Sequence, residues 1–245
     1  MTKLADAIRR TTRAEAPRIG FTPAPVKRQP TMLLVALVAT PNEAAAGADA
    51  LLAQSDAPLT STNGAAEQPL RGLMLKGDGD VAAAREQGYD FVVFDGDEAP
   101  ASVLLEEKAG LVMQVPSDLT DTLLQTLQWL PLDALMVRWE GTLTVRRQLE
   151  LQRLSGFSRK PLFLFLDADR SAAELEALRE AGVIGVVVDL TRSGGAERLA
   201  GLRTTIDGLR PRPKRGRDES PIVSIAPMFV GAPEREPEEP DEDEE

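Results

Sequence analysis

Two charged residues follow apolar segments closely enough to be candidates for catalysis. Lys76 lies in LMLKGDGD and Asp95 in FVVFDGDE, each between an apolar run and a glycine. A lysine in a partly dry pocket has a lowered pKa and can act as a base or an amine nucleophile, while a nearby carboxylate can move protons or hold Mg²⁺. We therefore predict Lys76 and Asp95 as catalytic residues. The competing interpretation is that Asp95 caps the next helix and Lys76 pairs with it.

A second candidate site is the segment TRSGG, which follows the last apolar run and begins the last predicted helix. Backbone N–H groups at a helix start bind anions, Gly194 and Gly195 allow close approach, and Arg192 adds positive charge beside Ser193. We predict that these four residues bind a phosphate or carboxylate group, with a plain turn as the alternative. Neither this segment nor 77–79 completes a Walker A or dinucleotide fingerprint.

Asp167 and Asp169 in FLDADRSAAEL are spaced as metal ligands can be. They also precede Ser171 and Glu174, which fit a capping box at the start of a helix. We favour local turn chemistry for both aspartates and predict no metal site.

The chain contains no His and no Cys. A Ser–His–Asp triad, an imidazole base, a thiolate nucleophile and His- or Cys-ligated metals are therefore excluded within this sequence. Trp129 and Trp139 have no basic neighbours that would form a stacking platform, and the basic segment 210–217 is read as a linker. We expect no nucleic-acid partner, and the sequence identifies no cofactor.

The net charge of −11 belongs mostly to one end of the chain, because residues 234–245 alone carry −8. Such a segment is typical of a solvated, disordered tail. The start of the chain does not resemble a signal peptide, and the longest apolar run, 32–39, is too short to cross a bilayer. We expect a cytoplasmic protein without membrane contact.

Eight short apolar runs without strict polar alternation recur along the chain, as expected for strands buried on both faces of a parallel sheet. The count predicts a compact closed (β/α)8 barrel over 32–209, and an open doubly wound sheet is the alternative. The runs are 32–39, 49–54, 72–76, 90–95, 110–115, 133–138, 161–167 and 183–189. Their carboxyl ends carry Gln54, Lys76, Asp95, Gln114, Arg138, Asp167 and Asp189.

Helical patterns separate most of these runs, and a weak repeat accompanies them. Three of the four even-numbered runs have an Asp directly before the apolar residues, in GADALL, GYDFVV and PLDALM. The spans 40–48 and 55–71 are too short or too rich in turn residues for full helices, so the first crossovers are abbreviated. The predicted helices are 81–87, 100–108, 119–130, 144–154, 171–181 and 195–209.

Both ends of the chain lie outside the predicted barrel. Residues 1–31 predict a helix followed by a Pro-rich strap on the outside of the core. Residues 210–245 predict a disordered tail, basic and then acidic, with an apolar segment at 222–230. That segment either folds back onto the barrel or docks on a protein partner.

The segment 171–190, SAAELEALREAGVIGVVVDL, resembles a unit of phosphate-binding and flavin-type TIM barrels, in which an ELxxLxxAG helix precedes a GVxGVVV strand. The resemblance implies a TIM-like barrel whose ligand site lies at the carboxyl ends of the strands. It covers structure rather than a catalytic signature and indicates no specific family.

Two functions remain open from the sequence, because fold alone does not choose between them. The first is a cytoplasmic barrel that binds or transforms a small phosphorylated or carboxylated metabolite. Arg192 and the backbone of 193–195 would hold the anion, with Lys76 and Asp95 near the reacting carbon. The second is a catalytically inactive scaffold whose tail docks a partner through 222–230.

Overall fold

The structure is a computed structural model that describes residues 2–12, 30–57, 59, 68–77 and 79–211. Eight parallel strands pair in chain order, and the last pairs with the first, so the sheet is a closed barrel. The predicted barrel is confirmed, and the open-sheet alternative is wrong. The strands are β1 (Leu33–Val38), β2 (Ala50–Ala53), β3 (Leu70–Met74), β4 (Phe91–Asp95), β5 (Gly110–Val115), β6 (Ala134–Arg138), β7 (Leu162–Leu166) and β8 (Val183–Asp189).

Helices occupy the crossovers from β3 onward, whereas residues 39–49 between β1 and β2 form none. The described residues between β2 and β3 also form none, which confirms the abbreviated first crossovers. The predicted apolar tail segment 222–230 lies outside the described residues. The helices are α1 (Lys3–Thr12), α2 (Val81–Glu86), a 3₁₀ helix (Ala101–Leu105), α3 (Asp121–Leu127), α4 (Val145–Ser158), α5 (Ala172–Glu180) and α6 (Gly195–Asp207). Within the described part of the chain, no helix has the length and apolar character needed to cross a bilayer.

The strands are apolar on both faces because the barrel has two separate cores. In β1, Leu33, Val35 and Leu37 belong to the core inside the barrel. Their neighbours Leu34 and Ala36 belong to the core between the barrel and its helices. Side chains alternate between the two faces of a strand, so burial on both sides produces a continuous apolar run.

Glycines opposite phenylalanines make room inside the barrel. Phe91 pairs in register with Gly72, and Phe163 with Gly185. A Cβ on Gly72 would lie 2.2 Å from the Phe91 ring, and one on Gly185 would lie 2.4 Å from the Phe163 ring. Each phenylalanine ring fills the interior at a level where the neighbouring strand carries a glycine, as expected for the packed layers of a barrel.

The aspartates of the sequence repeat connect neighbouring strands by hydrogen bonds at the N-terminal end of the barrel. Each precedes an even-numbered strand, and its carboxylate accepts a hydrogen bond from a backbone N–H near the start of the previous strand. The aspartate N–H in turn donates to the carbonyl of that same residue. The pairs are Asp49 with Leu34 (2.8 Å), Asp90 with Arg71 (2.9 Å) and Asp133 with Leu111 (3.2 Å).

Helix α1 covers this same N-terminal mouth. Leu4 and Ile8 belong to the core inside the barrel. The Thr2 hydroxyl donates to Asp133 (2.9 Å), and the Lys3 ammonium donates to Asp90 (2.7 Å). The predicted N-terminal helix therefore closes one end of the barrel, and the polar ends of the strands form the other.

We predict that Gly185→Ala lowers the free energy of unfolding by about 1–3 kcal/mol, because the added methyl group overpacks the interior against Phe163. Gly201→Ala is the matched control, since this glycine lies inside α6 with open space around its Cβ position. It should stabilise by about 0.5–1 kcal/mol through helix propensity. Urea unfolding measures both, and equal effects would contradict the packing described here.

The predicted capping box is present at the start of α5. The Ser171 hydroxyl accepts from the Glu174 N–H (3.3 Å), and the Glu174 carboxylate accepts from the Ser171 N–H (3.0 Å). The backbone N–H and hydroxyl of Ser171, with a smaller effect of Arg170, hold the pKa of Glu174 below its usual range.

We predict that Ser171→Ala lowers the free energy of unfolding by about 1 kcal/mol near neutral pH. Because the pKa of Glu174 is lowered by folding, the stability that its carboxylate provides is present above the usual Glu pKa and is lost as pH falls through the lowered value. The difference between the native protein and Glu174→Ala should therefore shrink in acid. Urea titrations at several pH values measure it, and a pH-independent difference would argue against the box.

Candidate binding site at the C-terminal mouth of the barrel

Polar side chains line the inner rim at the C-terminal ends of the strands. The residue two positions before each of these polar residues belongs to the core inside the barrel. Because side chains alternate between the two faces of a strand, the polar residue at the strand end also points inward. The rim therefore combines acidic, amide and cationic groups around a buried aromatic floor. Its members are Asp95 on β4, Gln114 on β5, Arg138 on β6 and Asp189 on β8, with Phe165 on β7 beneath them.

Arg138 is an exposed cation of this rim that none of the described residues neutralises. Its guanidinium lies over the ring of the buried Phe165, 4.2 Å from the centroid. The side chain makes no hydrogen bond or ion pair with any residue that the structure describes. The sequence predicted Arg138 as a strand-end residue but not as a site residue. The available signal was its position two residues after Met136, which points into the barrel.

The predicted catalytic residues Lys76 and Asp95 lie at the ends of adjacent strands, but no ion pair joins them. Asp95 accepts a hydrogen bond from the Asp97 N–H (2.9 Å), which closes the turn after β4. Lys76 follows the end of β3, is exposed, and forms no ion pair within the described part of the chain. Their catalytic role stays a prediction.

Lys76 lines a cleft of about 350 Å³ beside β3 and α2. Gln54 and Ser55 after β2, and Asp80 and Gln87 at the two ends of α2, also line it. Asp80 accepts from the Ala82 N–H (2.8 Å) and so caps α2. Asp95 is not among the residues around this cleft, so the cleft does not unite the predicted pair.

Asp167 takes part in contacts between two loops, and the turn chemistry predicted for it stays a prediction. One carboxylate oxygen accepts from Arg170 (3.2 Å) and the other from the Gly141 N–H (3.2 Å). Arg170 is buried, also donates to the Gly141 carbonyl (2.5 Å), and lies over the Trp139 ring. These contacts connect the loops that follow β6 and β7.

The TRSGG segment is a tight connection between β8 and α6. Arg192 forms an ion pair with Asp189 (3.3 Å), Gly194 has φ of 75°, and Gly194 provides no side-chain cap for the helix. A Cβ on Gly195 would lie 2.6 Å from the Asp189 carbonyl oxygen, so packing alone requires this glycine. Glu197 adds a negative charge to the first turn. The anion-binding role of Arg192, Ser193, Gly194 and Gly195 stays a prediction.

No protein-family model matches the chain, and a search of curated protein sequences found no match. Solved structures do resemble it. A tryptophan synthase alpha-subunit variant from Pyrococcus furiosus has a TM-score of 0.52 and 15% identity, over 73% of this chain and 97% of the other. The 3-keto-L-gulonate-6-phosphate decarboxylase of Vibrio cholerae has a TM-score of 0.54 and 12% identity, over 74% of this chain and 99% of the other.

At sequence identities this low, structural similarity establishes a common fold and shows nothing about the chemistry at the site. The closed ring of eight parallel strands and the similarity to these solved structures agree on that fold. The chain has the TIM-barrel fold.

Proposed function

We propose that this protein binds a small phosphorylated or carboxylated metabolite at the C-terminal mouth of its barrel, in the cytoplasm. The observation that carries the proposal is Arg138, an inward cation whose donors no described residue engages. In TIM-barrel enzymes this end of the barrel carries the active site, since loops from several strands converge there.

The chemistry of Arg138 favours an oxyanion. A guanidinium presents several N–H donors in a planar fork that matches carboxylate and phosphate oxygens. Its stacking on Phe165 at 4.2 Å holds the plane without using the donors at its edge. Asp95 and Asp189 on the same rim would accept hydrogen bonds from hydroxyl or amino groups elsewhere on the ligand.

The residues predicted from the sequence enter the proposal in supporting roles. Arg192 and the backbone of Ser193, Gly194 and Gly195 would add a second anion contact at the start of α6, although the ion pair with Asp189 already uses part of the Arg192 charge. The decarboxylase among the similar structures acts, by its name, on a sugar-acid phosphate. That precedent supports a phosphorylated ligand for a barrel of this kind.

We predict that inorganic phosphate and phosphosugars raise the melting temperature of the native protein and that Arg138→Met abolishes the shift, because a ligand specific for the native state stabilises it. Loss of a charged hydrogen bond of about 1.5–3 kcal/mol corresponds to roughly 10- to 150-fold weaker binding. Arg10→Met is the matched control, as it removes the same charge from an exposed position on α1 at the opposite end of the barrel. Phosphate binding that survives Arg138→Met unchanged would refute the proposal.

Catalysis by Lys76 and Asp95 has its own test. The test applies if the protein converts one of the phosphosugars used in the melting-temperature experiment. Lys76→Met and Asp95→Asn should then each lower kcat by about 10²-fold or more, while the phosphosugar still raises the melting temperature. Full turnover in both variants would remove these two residues from the mechanism.

A scaffold is the second candidate function, and exposed apolar side chains favour it. Trp129 at the end of α3 and Leu105 in the 3₁₀ helix are each 80% exposed. In this reading the barrel is catalytically inactive, and residues 222–230 dock a protein partner. Deleting 218–245 should then abolish capture of that partner without weakening phosphate binding to the barrel, and capture that persists would exclude the tail.

A further inference from the structure

We propose that Arg170 is a positioning residue that keeps Arg138 available for an anionic ligand by holding Asp167 away from it. This inference rests on the proposed function, since it concerns the same anion site. Arg170 forms no hydrogen bond or ion pair with Arg138, and it acts through the carboxylate that it binds.

The register of β6 and β7 makes Asp167 the natural partner of Arg138. Arg138 pairs with Phe165, and Asp167 comes two residues further toward the mouth. Strand spacing and rise place their Cα atoms about 8 Å apart, a separation that an arginine side chain can bridge. An ion pair between them would consume donors of Arg138 and cancel its charge.

The structure shows a different pairing. Both carboxylate oxygens of Asp167 are engaged, one by Arg170 at 3.2 Å and one by the Gly141 N–H at 3.2 Å. Charge-assisted contacts of this kind are strong enough to fix the carboxylate orientation. Arg138 lies over the Phe165 ring, and no residue in the described ranges forms a hydrogen bond or an ion pair with it.

Arg170 is itself held firmly, so it can impose this arrangement. Its side chain is only 5% exposed, and Glu174 provides a second carboxylate at 3.6 Å. It also donates to the Gly141 carbonyl and lies 4.9 Å from the Trp139 ring centroid. A buried guanidinium is costly without its anionic partners, so Arg170 and Asp167 are held together by the cost of separating them.

The test compares three variants of the full chain by NMR titration with inorganic phosphate and, separately, with acetate. Arg170→Met should weaken binding about fivefold, because the released Asp167 competes for Arg138 with the strength of an exposed ion pair. Adding Asp167→Asn to that variant should restore the native affinity. Asp167→Asn alone should bind at least as tightly as the native protein. Phosphate and acetate responses show which oxyanion the site prefers.

The Arg138 side-chain Nε–H resonance gives a readout that a general loss of structure would not produce. Without ligand it should shift in Arg170→Met and return to its native position in the double variant. If Arg170→Met does not fold by circular dichroism, Arg170→Lys replaces it, with a smaller loss expected because the ammonium retains the charge without the fork.

The outcomes separate this inference from the proposed function. Phosphate binding that is unaffected by Arg138→Met refutes the proposed function and this inference with it. Binding that depends on Arg138 but is unchanged by Arg170→Met overturns the positioning role alone. A double variant that stays as weak as Arg170→Met also overturns it, because displaced loops rather than a competing carboxylate would then explain the loss.

Discussion

Closure of the sheet between β1 and β8 is the constraint on which the rest of the molecule depends. Leu33 of β1 pairs with Gly185 of β8, and Phe163 of β7 pairs with the same glycine. Because Gly185 has no side chain, the Phe163 ring fills the interior where β7, β8 and β1 lie side by side. Once the ring is closed, each strand residue has a fixed side, inside the barrel or against the helices. Every assignment of a rim residue follows from that alternation.

The two ends of the barrel have opposite chemistry. At the N-terminal end, aspartates satisfy backbone N–H groups, and α1 covers the opening with Leu4 and Ile8. Charges there are used for structure. At the C-terminal end, Asp167 and Asp189 are bound by nearby arginines, whereas no residue that the structure describes neutralises Arg138. This cation, which has no ionic partner among the described residues and lies over a buried ring, is the main support for the proposed ligand site.

The fold could be predicted because its signals are local. Most strands are continuous apolar runs, Ser171 and Glu174 specify a helix start within four residues, and Gly88 and Gly182 end helices with φ near 98° and 95°. The error in the predicted bounds of the third strand is also local. The third strand is two residues earlier than predicted, at Leu70–Met74 rather than 72–76, because its pairing with β2 begins at Leu70 and its pairing with β4 ends at Met74. That shift places Lys76 beyond the strand end.

The amino-acid sequence by itself determined eight strands, their order and the charged residues after them, since periodicity and turn residues act over short distances. Only the tertiary structure decided which charged groups pair with each other in the part of the chain that it describes. Asp167 binds the Gly141 N–H, and Arg138 lies over Phe165, because the packing of β6 beside β7 sets the distances between groups far apart in the chain. Ion pairing depends on those distances, so the sequence could name Lys76 and Asp95 as first candidates but could not single out Arg138.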